Sequence, residues 1–162
     1  MSVLVTRDQW QAYMDAGEAN TPAFSLVGEG FTSFSESKNP KEYSRQYVHE
    51  KTERSDVVGY APSISYSVDL HTGDPCCEKI AKITDSEAIG AAALVTIVTV
   101  NLWEEDSSTT GSFKAYKRTY SVIPDGKGDG TDAMIYTGTL KANGDAVEGL
   151  FALQTKTFTA KE

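Results

Sequence analysis

The sequence predicts an all-β domain, a sandwich or barrel, with one packed α-helix and a short helix near the N-terminus. Two observations carry this expectation. Ile64, Tyr66, Val68 and Leu70 alternate with Ser63, Ser65, Ser67 and Asp69, the period-two pattern of a half-buried strand. From residue 92 to 158 apolar and β-branched stretches recur, separated by polar turns, with a helical start signal shortly before them at Asp74-Pro75.

Taken in order, the chain opens with a short predicted helix. Thr6 is placed to cap it, and Gln9 follows three residues on, as a capping box requires. Trp10, Tyr13 and Met14 then share a face at helical spacing, and Gly17 ends the element. Residues 23–34 read as a first strand loosened by Gly28 and Gly30. Residues 35–56 form a long charged insertion whose apolar content is almost limited to Tyr43, Tyr47 and Val48. Loops of that length inside a small domain are uncommon and are functional or disordered. Balanced opposite charges there suit contact with another copy; a solvated hairpin tip is the plainer reading.

The clearest strand spans residues 57–70. Asp74 caps the packed helix, with Pro75 at its first position and Cys76, Ile80 and Ile83 on its inner face. An antiparallel meander follows over 92–103, 112–123, 133–142 and 147–158, the last with a break at Gln154. Asn143-Gly144 is the favoured pair for a tight hairpin turn. Residues 95–103 are apolar on both sides, which suits either an interface or burial on both faces within the domain. The whole is one domain, residues 1–162, with about six or seven strands, closed or in two sheets, since long open edges invite aggregation.

Composition limits function. With 162 residues the chain builds one core, and its 40% apolar share leaves room for a segment outside that core. The net charge of −8 opposes ordinary nucleic-acid binding, which needs a basic face to neutralise phosphates. Lys114, Lys117 and Arg118 interleave with Tyr116 and Tyr120, but this is one basic-aromatic strand in an acidic chain. No export signal is visible, and the run from Ala88 to Trp103 is too short and too interrupted for a spanning helix. The adjacent Cys76 and Cys77 lack the spacing of a zinc or redox pair and read as reduced structural thiols.

Catalysis needs converging reactive groups, and the chain supplies few. It has two histidines, His49 and His71; a Cys-His nucleophile with His71 would rest on sequence closeness alone. Glu104, Glu105 and Asp106 are consecutive, so on a strand they cannot face one another. The acidic stretch Asp125 to Asp132 resembles a calcium loop but places Lys127 at a ligand position and Tyr136 where the bidentate glutamate belongs. It reads as a turn. The expectation is a protein that is not an enzyme and carries neither cofactor nor metal.

Two stretches point to a family. Residues 39–70 (NPKEYSRQYVHEKTERSDVVGYAPSISYSVDL) and 121–149 (SVIPDGKGDGTDAMIYTGTLKANGDAVEG) together resemble the major tail tube protein of long, non-contractile (siphovirus-type) bacteriophage tails, of the kind carried by phages and prophages of Gram-positive bacteria. The resemblance implies the tail tube fold and a structural subunit that self-assembles into hexameric rings stacked as a channel for DNA ejection. The insertion 35–56 is then the inter-ring loop, with Asn39, Lys41, Glu42, Arg45, His49, Glu50, Lys51, Glu53 and Arg54 as contact residues. Ser65, Ser67 and Asp69 become candidates for the lumen, as do Asp125, Asp129 and Asp132. Implied partners are further copies of itself and the tail tip, tape measure and tail terminator proteins. DNA passes without specific binding, no membrane is involved, and the virion tail, made in the host bacterial cytoplasm, is the location. A tube subunit of a contractile tail or tail-derived bacteriocin fits nearly as well; a monomeric β-sandwich ligand-binding module is the reading from another class.

Overall fold

The computed structural model describes residues 1–17 and 20–162. Its strands are β1 (Trp10–Asp15), β2 (Phe24–Leu26), β3 (Phe31–Ser37), β4 (Pro40–Arg45), β5 (Arg54–Tyr60) and β6 (Ser63–Asp69). The helix α1 (Pro75–Asp85) follows, then β7 (Leu94–Glu105), β8 (Ser112–Lys127), β9 (Ile135–Ala142), β10 (Val147–Ala152) and β11 (Thr157–Ala160). The expected class holds: about half the chain is strand, with a single α-helix among the described residues. No helix is long and apolar enough to cross a membrane among the described residues.

The main sheet runs β2-β1-β7-β8-β9-β6-β3, all antiparallel. It curls into a half-barrel. The curl brings β3 back beside the start of β1, where the Arg7 guanidinium donates to Phe34 O at 3.0 Å and the Trp10 and Phe34 rings lie 6.3 Å apart. Inside the curve, Ile64 and Val68 of β6, Val95 and Ile97 of β7, Val122 of β8 and Leu140 of β9 form the core. Helix α1 closes the open side with Cys76, Cys77, Ile80 and Ile83. Each fully buried side chain of this size stabilises the fold by roughly 1.5–3 kcal/mol relative to exposure. Asp74 caps α1 as expected, its Oδ1 accepting from Cys76 N at 2.9 Å and Cys77 N at 3.3 Å.

Strand β8 is long enough to share one edge between two partners. Residues 112–117 pair with β10, and residues 120–127 pair with β9. At the junction Asn143 N donates to Thr119 O at 2.8 Å. The hairpin β10-β11 thereby forms a second small layer on the outer face of β1 and β7, anchored by Phe151, which is fully buried against Tyr13, Val98, Val100 and Ala115. This answers the two-sided apolar strand: Val95 and Ile97 face one core and Val98 and Val100 the other.

Four local expectations are corrected. The N-terminal helix is one 3-10 turn, Arg7–Gln9, closed by the capping box, after which the chain becomes β1. Tyr13 and Met14 belong to opposite cores, and pairing with the edge of β7 outweighs the helical spacing. The first strand breaks between β2 and β3, where Gly30 has φ +91° and any Cβ would lie 2.6 Å from Asp69 O. The strand expected over 57–70 divides at Ala61-Pro62 into β5 and β6, because proline supplies no N–H to the ladder. Asn143-Gly144 turns the chain without making a hairpin: β9 pairs with β6 and β8, whereas β10 crosses to the other part of the β8 edge. The break near Gln154 is present, between β10 and β11.

Candidate functional site

The charged insertion is an ordered ribbon. Strands β4 and β5 pair only with each other, in a two-stranded sheet separate from the body. Asn39, in left-handed conformation at φ +46°, pins its base: its side-chain amide donates to Ala61 O and Ser63 Oγ, each at 3.0 Å. The stretch expected as a loop over 35–56 thus comprises the end of β3, all of β4, the tip and the start of β5, and the ribbon continues to Tyr60.

Some charges within the ribbon are met locally. Arg45 and Arg54 are directly opposite, a repulsive arrangement. Arg54 turns to Glu50, and Arg45 stacks over the Tyr43 ring while its Nε donates to Tyr43 Oη at 2.6 Å. His49 lies against Tyr47, their rings 6.5 Å apart. Lys41, Glu42, Lys51 and Glu53 are exposed. So are Tyr43, Tyr47, Val48, Val57, Val58 and Tyr60, with Val48 fully in solvent. A two-stranded ribbon is at best marginally stable in water alone, and exposed apolar side chains on one mark an interaction surface.

The outer face of the half-barrel has a different character. Since Ile64, Tyr66 and Val68 point inward, Ser65 and Ser67 point out. The register sets Ser65 between Ser35 and Thr139, and Ser67 between Ser33 and Thr137. Three strands therefore present one contiguous face of small hydroxyl side chains. Sequence reasoning found the β6 row but missed Ser33, Ser35, Thr137 and Thr139, because β3 and β9 are distant in sequence and only the pairing places them alongside.

The acidic candidates gather at one end of this face. Asp69 is opposite Ile135, and the 128–134 loop carrying Asp129 and Asp132 leaves β8 at the same end. Strand β8 continues through Pro124 to Lys127 with an irregularity between Pro124 and Gly126, so Asp125 sits on a strand and not in the expected turn. Among the described residues no group of three or more His, Cys, Asp or Glu side chains is placed to hold a metal.

The cysteines are built into the core. Cys76 Sγ donates to Ser25 O at 3.4 Å and Cys77 Sγ to Glu29 O at 3.5 Å, both thiols being fully buried. Burial pushes the Cys76 thiol up to about 12 and raises that of Cys77. Both are held protonated, the opposite of a nucleophile. His71 Nδ1 lies 2.8 Å from Asp69 O, engaged with backbone.

No family model matches the chain, and no curated protein is similar to it. Among solved structures, a chain in the six-fold-symmetrised cryo-EM structure of the anti-feeding prophage baseplate is similar, with a TM-score of 0.51 at 10% identity. The similarity covers 91% of this chain and 97% of that one. At this identity the likeness is one of fold.

Proposed function

We propose that this chain is a non-enzymatic structural subunit of a phage-type tail, and that its specific role is in the tail tube. Copies form hexameric rings, rings stack through the β4-β5 ribbon, and the small-polar face of β3, β6 and β9 lines the bore. The observation that carries this reading is the ribbon: an ordered two-stranded arm that stands off the body as its own sheet and leaves tyrosines and valines in solvent. An arm of that kind is completed by a neighbour. The fold likeness to a chain of a six-fold-symmetrised prophage baseplate supports the setting.

The bore follows from charge. Duplex DNA carries one phosphate charge per about 1.7 Å of axis, so a basic wall would hold it. A wall of serine and threonine hydroxyls, bordered by Asp69 at one end and by Lys141 beside Ser63 at the other, presents no basic cluster to grip phosphates, and DNA passes without specific binding. The tail tip, tape measure and terminator proteins are the further partners of this reading; the particle is the virion, with synthesis in the host bacterial cytoplasm. The prophage origin of the similar structure also favours a second reading, a tube subunit of a contractile or tail-derived particle.

Electron microscopy of the concentrated protein tests the proposal. Rings or hollow tubes are expected; a monomer at every concentration overturns it, and sugar or small-ligand binding by that monomer points to the ligand-binding module instead.

A further inference from the structure

The half-barrel is polar along its length. Strands β6 and β9 fix two ends about 20 Å apart. Asp69, Asp125, Asp129 and Asp132 lie towards the end where Asp69 meets Ile135. At the other, where Ser63 meets Lys141, a cavity of about 230 Å³ opens, lined by Glu36, Lys38, Thr99, Tyr116, Arg118 and Tyr120. Arg118 makes no ion pair among the described residues, and its Nε is shielded from solvent without a hydrogen-bond partner. Glu36, the one acid in the cavity, is taken by Lys38. Two cations against one anion leave a single positive charge uncompensated. A guanidinium N–H shielded without a partner is costly, and the fork suits a carboxylate. The ribbon leaves the body at this same end, through Asn39 and Ala61.

The geometry points to a head-to-tail contact in which a carboxylate of the 128–134 loop of one copy, Asp129 or Asp132, enters the Arg118 cavity of the next. It rests on the tube reading and supplies its stacking polarity. Because the donor end and the acceptor end are different surfaces, the contact is heterologous and propagates along an axis without limit. The excess negative charge lies outside the ribbon, whose residues 40–60 hold four cations and four anions. Bodies of like charge therefore need a local opposite pair where they meet.

The test uses the full-length chain and pelleting of polymer to obtain the critical concentration. Arg118→Gln, and Asp129→Asn with Asp132→Asn, are each expected to raise it by at least about tenfold, and the combination no further than either alone. Normal polymerisation by these variants, or fully additive effects, overturns the contact and leaves the tube reading standing; absence of polymer from the unaltered chain overturns both. A second measurement does not depend on altering the half-buried arginine. Copies carrying Ala146→Cys, on the wall of the same cavity, mixed with copies carrying Thr131→Cys in the loop are expected to give a covalent two-copy band on oxidation, and its absence overturns the proposal. Acetate is the small-anion probe: a shift of the Arg118 Nε resonance in the monomer, with polymerisation indifferent to acetate, assigns the cavity to free carboxylates and likewise overturns the contact.

Discussion

Tyr136 on β9 donates its phenol hydrogen to the Asp85 carboxylate at the end of α1, 3.1 Å away, while Lys127 of β8 pairs with the same carboxylate. The helix that closes the half-barrel is thus tied at its C-terminus to two adjacent strands. The Lys127 hydrogen bond, helped by Tyr136, holds the Asp85 carboxyl below its ordinary value of 3.8. A depressed folded value contributes stability above the unfolded value that is lost as pH falls through the folded one. Thermal unfolding followed between pH 7 and pH 2 is expected to show a decline below about pH 4 that is smaller in Asp85→Asn. An identical acid limb in both proteins would detach Asp85 from the stability of the helix.

Phe151 is the keystone of the second layer, its ring 4.6 Å from that of Tyr13 and fully buried. Phe151→Ala is expected to cost about 3–5 kcal/mol, a fall in Tm on the order of 10 °C for a chain of this size. Calorimetry checks it. A fall of only a degree or two would mean that β10 and β11 pack loosely on β7.

Replacing residues 41–59 by a two-residue turn removes the ribbon above its Asn39 pin. The strand signal in circular dichroism and the Tm are expected to persist, because β4 and β5 supply no strand to the main sheet. Polymer is expected to be lost, since stable contacts between copies bury about 800 Å² per partner and the ribbon carries the exposed Tyr43, Tyr47, Val48, Val57 and Val58. Failure to fold would show that the ribbon is integral to the domain.

Ser65→Lys with Asp69→Lys places cations on the proposed bore without touching the core, since both side chains face away from Ile64 and Tyr66. Tubes are expected to assemble, and genome release to slow as phosphates are retained, with the delay shrinking in high salt. Release at the normal rate would move the bore to another face.

Much of the fold was legible because it rests on local periodicity. The alternation over Ile64–Leu70, the Asp74-Pro75 helix start and the apolar run in β7 each encode their own element. The N-terminal element misled because Trp10, Tyr13 and Met14 satisfy helical spacing while their neighbour Ala12 completes a strand face equally well; pairing to β7, ninety residues on, decides between them. Pairing also explains what was missed at the site. The hydroxyl face joins three strands, from Ser33 to Thr139 in the chain, and the Arg118 cavity joins β3, β7 and β8. Neither leaves a trace in adjacent positions. The ribbon was legible as unusual by composition, and its strand structure was not, since alternation is obscured when both faces are wet.

On the proposed tail reading, the buried cysteine pair has a chemical consequence once the particle leaves the reducing cytoplasm. With both sulfurs under α1 and directed at main-chain oxygens, neither can meet a disulfide, a peroxide or another thiol until the helix lifts from β2. A polymer of such subunits would present neither thiol to an oxidising exterior, so ageing by disulfide cross-linking is barred by the same packing that seats the helix, without any need to dispense with cysteine.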